Sequence, residues 1–167
     1  MTPEQAFDTY SEAVFRFAYR LTRRADIAED IAQECFLAFL RAPGRFDQAR
    51  GSVRTYLFAI ARNLVLKEYR DSHAEVQFED DGAGLPAGES LPIELSSAVE
   101  QAVAALPPLQ QEALILFQYE GCTLEEIAQV AGADVGTIKS RLHRARERLK
   151  RTLAPHKKMG NAHGTRP

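Results

Sequence analysis

The sequence predicts an all-α protein of two small helical domains joined by a flexible acidic linker. Three observations carry that expectation. Apolar residues recur at helical rather than alternating spacing through most of the 167 residues. One long stretch, VQFEDDGAGLPAGESLP, has neither period and is rich in Gly, Pro and carboxylates, which is linker chemistry. Charge is also segregated: residues 1–70 hold 11 basic and 9 acidic side chains, 71–96 hold none and 7, and 97–167 hold 10 and 7. The expected organisation is therefore a first domain at 1–72, a linker at 73–95, a second domain at 96–153 and a disordered tail at 154–167.

In the first domain, Phe7, Tyr10, Val14, Phe17, Ala18 and Leu21 mark a helix from Pro3 to Thr22. Asp26 is expected to open a second helix, with Glu29 as its capping-box partner. Its apolar positions repeat every four residues, as Ile27, Ile31, Cys35 and Phe39 and as Ala28, Ala32, Phe36 and Leu40. Asp26, Glu29, Asp30, Gln33 and Glu34 fall on the polar side, and an acidic face repels DNA, so it meets solvent or a protein. After the loop APGRFDQARG, a third helix runs from about Ser52 to Tyr69. Val53, Leu57, Ile60, Ala61 and Leu64 form its core stripe, with Tyr56, Asn63, Lys67 and Arg70 beside it and Phe58, Arg62 and Tyr69 on the far side. Cations and an amide beside aromatics suit single-stranded nucleic acid, whose bases stack and whose phosphates pair. Tyr56 and Phe58 satisfy the pattern equally well as members of a small core.

The second domain begins with a helix from Ala98 to Leu106, and Pro107-Pro108 starts another that Gly121 closes. A short helix, Leu124 to Ala131, is followed by the turn Gly132-Ala133-Asp134 and a longer helix from Val135 to about Leu153. Short helix, glycine turn and long helix make a helix-turn-helix plan. Ala128 is small where the helices cross, Gly132 suits a left-handed helix end, and Asp134 suits an N-cap. Along the last helix Ile138, Leu142, Ala145 and Leu149 form one buried stripe. Gly136, Ser140, His143, Arg144 and Glu147 face the other way, flanked by Lys139 and Arg141. Lys139 and Arg144 have the reach for guanine edges or phosphate, and Arg146, Arg148, Lys150 and Arg151 for the backbone. Solubilising charge would explain a generic basic helix. Here nine cations stand against one anion from Lys139 to Lys158, in a chain of net charge −2, and they begin inside the reading helix.

Other function classes find little support. No apolar run approaches the roughly 18–20 residues of a membrane span, and the acidic start MTPEQAFDTYSE lacks the plan of a signal peptide, so a cytoplasmic location is expected. Cys35 and Cys122 read as reduced apolar filler rather than a disulfide. Neither forms metal-ligand spacing with a histidine. No catalytic residues, metal or cofactor are expected, since nucleophile–base pairs and phosphate loops are absent from the sequence.

Five segments then carry a resemblance: EDIAQECFLAFL, RFD, TYLFAIARNLVLKEYR, ALPPLQQEALILFQYEG and TLEEIAQVAGADVGTIKSRLHRARERL. Together they resemble the sigma-70 family of RNA polymerase sigma factors, in the extracytoplasmic-function group that retains only regions 2 and 4. The resemblance covers about residues 5–153. It implies a non-enzymatic protein that joins core RNA polymerase, at the β′ clamp helices and β flap, and directs it to promoter DNA. Region 2 would dock on polymerase through Asp30, Gln33 and Glu34. It would recognise and melt the −10 element through Phe46, Asp47, Arg54, Tyr56, Arg62, Asn63, Lys67 and Arg70. Region 4 would read the −35 duplex through Thr137, Lys139, Ser140, Arg141, His143, Arg144 and Arg148. An anti-sigma protein is the expected regulatory partner. Two places depart from the family pattern: Leu40 and Tyr56 stand where Trp is usual, and Leu109 and Gln111 where Arg is frequent. The alternative is a helix-turn-helix regulator that binds duplex DNA without joining polymerase.

Overall fold

The computed structural model describes residues 1–72 and 97–164, with side chains as far as Pro155. The expected linker at 73–95 and residues 165–167 lie outside the described residues. Among the described residues there are seven α-helices and no strand.

In the first domain α1 (Pro3–Thr22) starts with a capping box: the Gln5 N–H donates to Thr2 Oγ1 at 3.1 Å and the Thr2 N–H to Gln5 Oε1 at 2.9 Å. It ends on Arg23, whose φ of 57° turns the chain into α2 (Ala25–Arg41). Asp26 is not the N-cap that the sequence suggested. The helix begins two residues earlier, at Ala25 behind Arg24, and Asp26 pairs with Arg24 at 2.9 Å from within the first turn. There the Ile27 N–H, with Arg24, holds its carboxyl below the usual aspartate range. A single 3₁₀ turn, Pro43–Arg45, then leads to α3 (Val53–Ser72), which Ser52 caps by accepting the Thr55 N–H at 3.1 Å.

The second domain comprises α4 (Ala98–Ala104), α5 (Pro108–Leu114), α6 (Leu124–Ala131) and α7 (Val135–Gly164). Past Leu114, α5 widens into a π-type turn over Ile115–Tyr119, closed by Glu120 N–H to the Ile115 carbonyl at 3.1 Å. Thr123 and Glu126 form a second capping box on α6, and Gly132 ends that helix at φ 65°, a left-handed conformation that glycine adopts without strain. α7 packs on α4, α5 and α6, burying Ile138, Leu142 and Ala145. It also passes through Pro155 to Gly164, so the segment expected as a disordered tail from residue 154 is helical as far as 164. Pro155 removes one N–H from the ladder, while Leu153, Ala154, Lys157, Lys158 and Met159 around it are good helix formers.

The two domains share a boundary. α3 packs against α6, α1 touches α5, and the buried residues of both halves form one continuous core. That placement changes the reading of α3. Phe58, on the far side of its wheel, is 0% exposed and meets Phe17 edge-on at 5.3 Å. With α1, α2 and α6 all packed around it, a helix has no single outer face. Phe7 moves the opposite way. It belongs to the apolar stripe of α1 by spacing but is 51% exposed, because α2 covers only one edge of its ring, with Phe36 at 5.2 Å. Leu40 is likewise 52% exposed.

Candidate nucleic-acid and polymerase interface

The helix-turn-helix is set by local chemistry. Asp134 Oδ1 accepts the Thr137 N–H at 2.7 Å, which caps α7 and, with the nearby Arg141, holds the Asp134 carboxyl below its usual range. From that cap Gly136, Lys139, Ser140, His143 and Arg144 all reach the surface, and Thr137 and Arg148 are half-buried. Small residues at Gly136 and Ser140 let the start of the helix come close to a partner. Further along, Arg146 lies over the Phe117 ring at 5.4 Å and Lys150 pairs with Glu147 at 3.3 Å. Arg141 differs from its neighbours. Only 9% exposed, it lies inside the domain rather than on the surface where the sequence placed it. At 100° per residue Arg141 is adjacent to Ile138 and Leu142, so its stem follows the buried stripe.

On the first domain, Asp47 Oδ1 accepts the Ala49 N–H at 3.0 Å and fixes the loop before α3. Phe46 folds back on Tyr56 at 5.4 Å, and Tyr56 on Phe39 at 5.9 Å. Phe46 and Tyr56 wall a cavity of about 280 Å³ that Asp47, Arg45, Arg50 and Gln129 also line. Asn63, Lys67 and Arg70 lie along α3, Asn63 and Arg70 exposed and Lys67 also open to solvent on its outer side. Arg54 and Arg62 are not on open surface. Arg62 forms a bidentate pair with Glu112 of the second domain, Nε to Oε2 at 2.9 Å and Nη2 to Oε1 at 3.1 Å. Arg54 reaches Glu126 at 3.2 Å and the Glu120 carbonyl at 3.1 Å. Burial works to lower the Arg54 pKa, and the Glu126 carboxylate leaves it raised. The Thr123 N–H and Arg54 together hold Glu126 below the usual glutamate range.

Asp30 and Glu34 stand exposed on α2 as expected, with Gln33 beside them. Next to them opens an apolar groove of about 500 Å³ with Phe7, Phe36, Leu37 and Leu40 among its walls and Glu4, Asp8 and Gln33 on its rim. Spacing did not reveal this groove, because its rings sit on stripes that also serve the core. Leu109 and Gln111, which replace frequent cations of the family, are buried, and Gln111 Nε2 donates to the Val103 carbonyl at 3.2 Å. Burial also pushes the Cys35 thiol up to about 12 and the Cys122 thiol up to about 11, so both stay protonated and unreactive. Among the described residues no three His, Cys, Asp or Glu come together as metal ligands, and no helix is long and apolar enough to cross a membrane.

Comparison with known proteins gives this geometry a family. The Sigma-70 region 2 family matches residues 6–75 and the Sigma-70, region 4 family matches residues 96–149. The ECF RNA polymerase sigma factor SigL of Mycobacterium tuberculosis is 33% identical over 153 residues, covering 88% of this chain and 86% of that protein. SigW of Bacillus subtilis, another ECF RNA polymerase sigma factor, is 29% identical over 161 residues, covering 87% and 86%. Among solved structures, the sigma factor RpoE of Bartonella quintana, in complex with the anti-sigma factor NepR, superposes with a TM-score of 0.69 at 28% identity, covering 90% of this chain and 96% of that one. The chain belongs to the sigma-70 family of RNA polymerase sigma factors, within its extracytoplasmic-function group.

Proposed function

We propose that this protein is an alternative sigma factor that binds core RNA polymerase and directs promoter-specific transcription initiation. The observation that carries the reading is the exposed start of α7, small at Gly136 and Ser140 and basic at Lys139 and Arg144, capped by Asp134 and backed by a buried stripe. That surface suits the −35 duplex, with Lys139, Ser140, His143 and Arg144 towards bases and phosphates, Thr137 and Arg148 at its margins. Arg141 serves from inside by holding the helix in place.

For the −10 element, the cavity between Phe46, Asp47 and Tyr56 offers stacking walls for an unstacked base, and Asn63, Lys67 and Arg70 offer a track for the strand. Arg54 and Arg62 join that track when released from the second domain. Asp30, Gln33 and Glu34, with the apolar groove beside them, form the polymerase-docking face, where acidic rim and apolar floor fit a basic, partly apolar helix of β′. Region 4 would meet the β flap. The protein has no catalytic role of its own and works in the cytoplasm, where the polymerase is. The relative RpoE was solved with an anti-sigma factor, and a partner of that kind is proposed here too.

Run-off transcription from genomic fragments tests the reading. Purified core polymerase should yield specific transcripts only when this protein is added. No transcripts, combined with tight duplex binding by the protein alone, would favour a helix-turn-helix regulator instead.

A further inference from the structure

Between α1 and α4 lies a cavity of about 190 Å³ whose walls include none of the residues assigned above to DNA or to polymerase docking. Phe15 and Tyr19, one turn apart on α1, form an aromatic wall, their rings nearly parallel at 13° with centroids 6.0 Å apart. Val103 and Ala104 of α4 and Tyr119 of the π-type turn complete the apolar lining from the second domain.

The charged lining is mostly cationic. Arg16, Arg20 and Arg23 all line the cavity, against one acid among the described residues, Glu100, which is exposed in the first turn of α4. Arg20 is held in place, with its guanidinium over the Tyr119 ring at 4.3 Å and 3.7 Å from Glu120 Oε1. Arg16 Nη2 donates to Glu120 Oε2 at 3.4 Å. Glu120 thus divides one charge between two guanidiniums, and it does not itself line the cavity. Arg23 has less. Its Nε is buried with no hydrogen-bond partner among the described residues. The Tyr69 phenol, on which its charge acts, supplies no counter-charge, because burial pushes that group up to about 12. A buried N–H with no acceptor is costly, and an anion held by Arg23 would satisfy it. The backbone does not call for arginine there either. α1 ends on Arg23 at φ 57°, where glycine or asparagine meets less steric resistance, so the guanidinium is what the position supplies.

We propose that this cavity binds a small aromatic carboxylate, one ring or two fused rings bearing a single acid group. The ring lies against Phe15 and Tyr19, and the carboxylate meets Arg23, with Arg16 and Arg20 adding positive potential. Arginine suits the task because its planar fork takes both oxygens of a carboxylate. Drug-sized ligands fill pockets of about 300–1,000 Å³, so the smaller volume here favours a bare ring over a nucleotide with its sugar. Both domains supply walls, so the ligand stabilises the folded chain as its concentration rises.

Isothermal titration calorimetry of the full chain with naphthalene-2-carboxylate and indole-3-carboxylate tests the site. Each should bind saturably, one molecule per chain, and raise the thermal midpoint. Neutral naphthalene-2-carboxamide and non-aromatic cyclohexanecarboxylate should bind at least about tenfold more weakly. Arg23→Gln should cost the carboxylates about tenfold or more in affinity. Arg24→Gln, the same loss of charge at the neighbouring exposed position, should cost nothing. Ala104→Leu keeps every charge but fills the space, and should also weaken binding about tenfold, with native helicity of each variant checked by circular dichroism. Equal binding of acid and amide, or equal losses in Arg23→Gln and Arg24→Gln, would overturn the proposal. So would native affinity in a folded Ala104→Leu chain, or no saturable binding of either carboxylate up to about 1 mM. Preferential binding of adenosine monophosphate would overturn it too, by making the ligand a phosphate ester.

Discussion

Two arginines three positions apart on one helix show how little residue type says by itself. Arg144 is exposed and Arg141 is buried. Arg144→Ala should weaken duplex promoter binding by about 1–3 kcal/mol, the range of a good base contact, and leave the thermal midpoint in place. Arg141→Ala should instead lower fold stability by about 1–2 kcal/mol through lost packing and stranded partners. Fluorescence anisotropy and thermal melts on both variants check this, and the expectation fails if Arg141→Ala affects only DNA binding. Acid exposes a second residue-scale property. The folded pKa of Glu126 lies below its usual 4.5 and that of Asp134 below its usual 3.8. Each therefore adds stability that is fully present above its unfolded value and disappears as pH falls through the lower, folded value. Midpoints should be flat from pH 7 to about 5 and fall below about 4.5, and Asp134→Asn should flatten the lower part of that decline. A midpoint already falling between pH 7 and about 6 would contradict the assignment.

Helices and their ends were legible to different degrees, and the reasons are local. Where a side chain caps its own helix, as Asp134, Thr123 and Ser97 do, the sequence marks the start directly. α2 shows the limit: Arg24 provides no capping bond, so nothing at its start marks the boundary more strongly than the misleading Asp26. Faces were legible where a helix packs on one side. The buried stripe of α7 came out as Ile138, Leu142 and Ala145 with Leu149 partly covered, whereas α3, packed from several directions, hid Phe58 and half-hid Arg54 and Arg62. A carboxylate amid apolar residues in PLQQEALILF was the available signal that Glu112 had a distant partner. The turn between α6 and α7 is the element most exposed to a single change. Gly132 has φ 65°, and a Cβ added there would have nothing within 4 Å, so Gly132→Ala adds backbone strain without a clash. It should lower stability by about 1–2 kcal/mol, measured by urea denaturation, and a neutral effect would show that the turn relaxes to a right-handed form.

At the scale of the molecule, the tension is between one core and two functional units. A continuous core predicts a single unfolding transition, with one slope set by the surface exposed. Yet the boundary between the halves contains buried carboxylates such as Glu112, and charge there alters the usual arithmetic of mutation. Removing one partner of a buried pair inside a rigid core costs about 3–5 kcal/mol, because the survivor has neither partner nor water. In this chain the survivor has a way out, since parting the domains rehydrates it. Glu112→Ala should therefore show less of that loss as a lower midpoint and more as lost coupling. Helicity should remain, the midpoint of region 4 should move little, and the single urea transition should split into two when followed at Tyr69 of region 2 and Tyr119 of region 4, using variants that retain one fluorescent tyrosine each. A single transition shifted bodily to lower urea would mean that the domains unfold as one unit even without the pair. In that case the apolar contacts of α3 with α6, rather than the arginine–glutamate pairs, would be what joins the two halves.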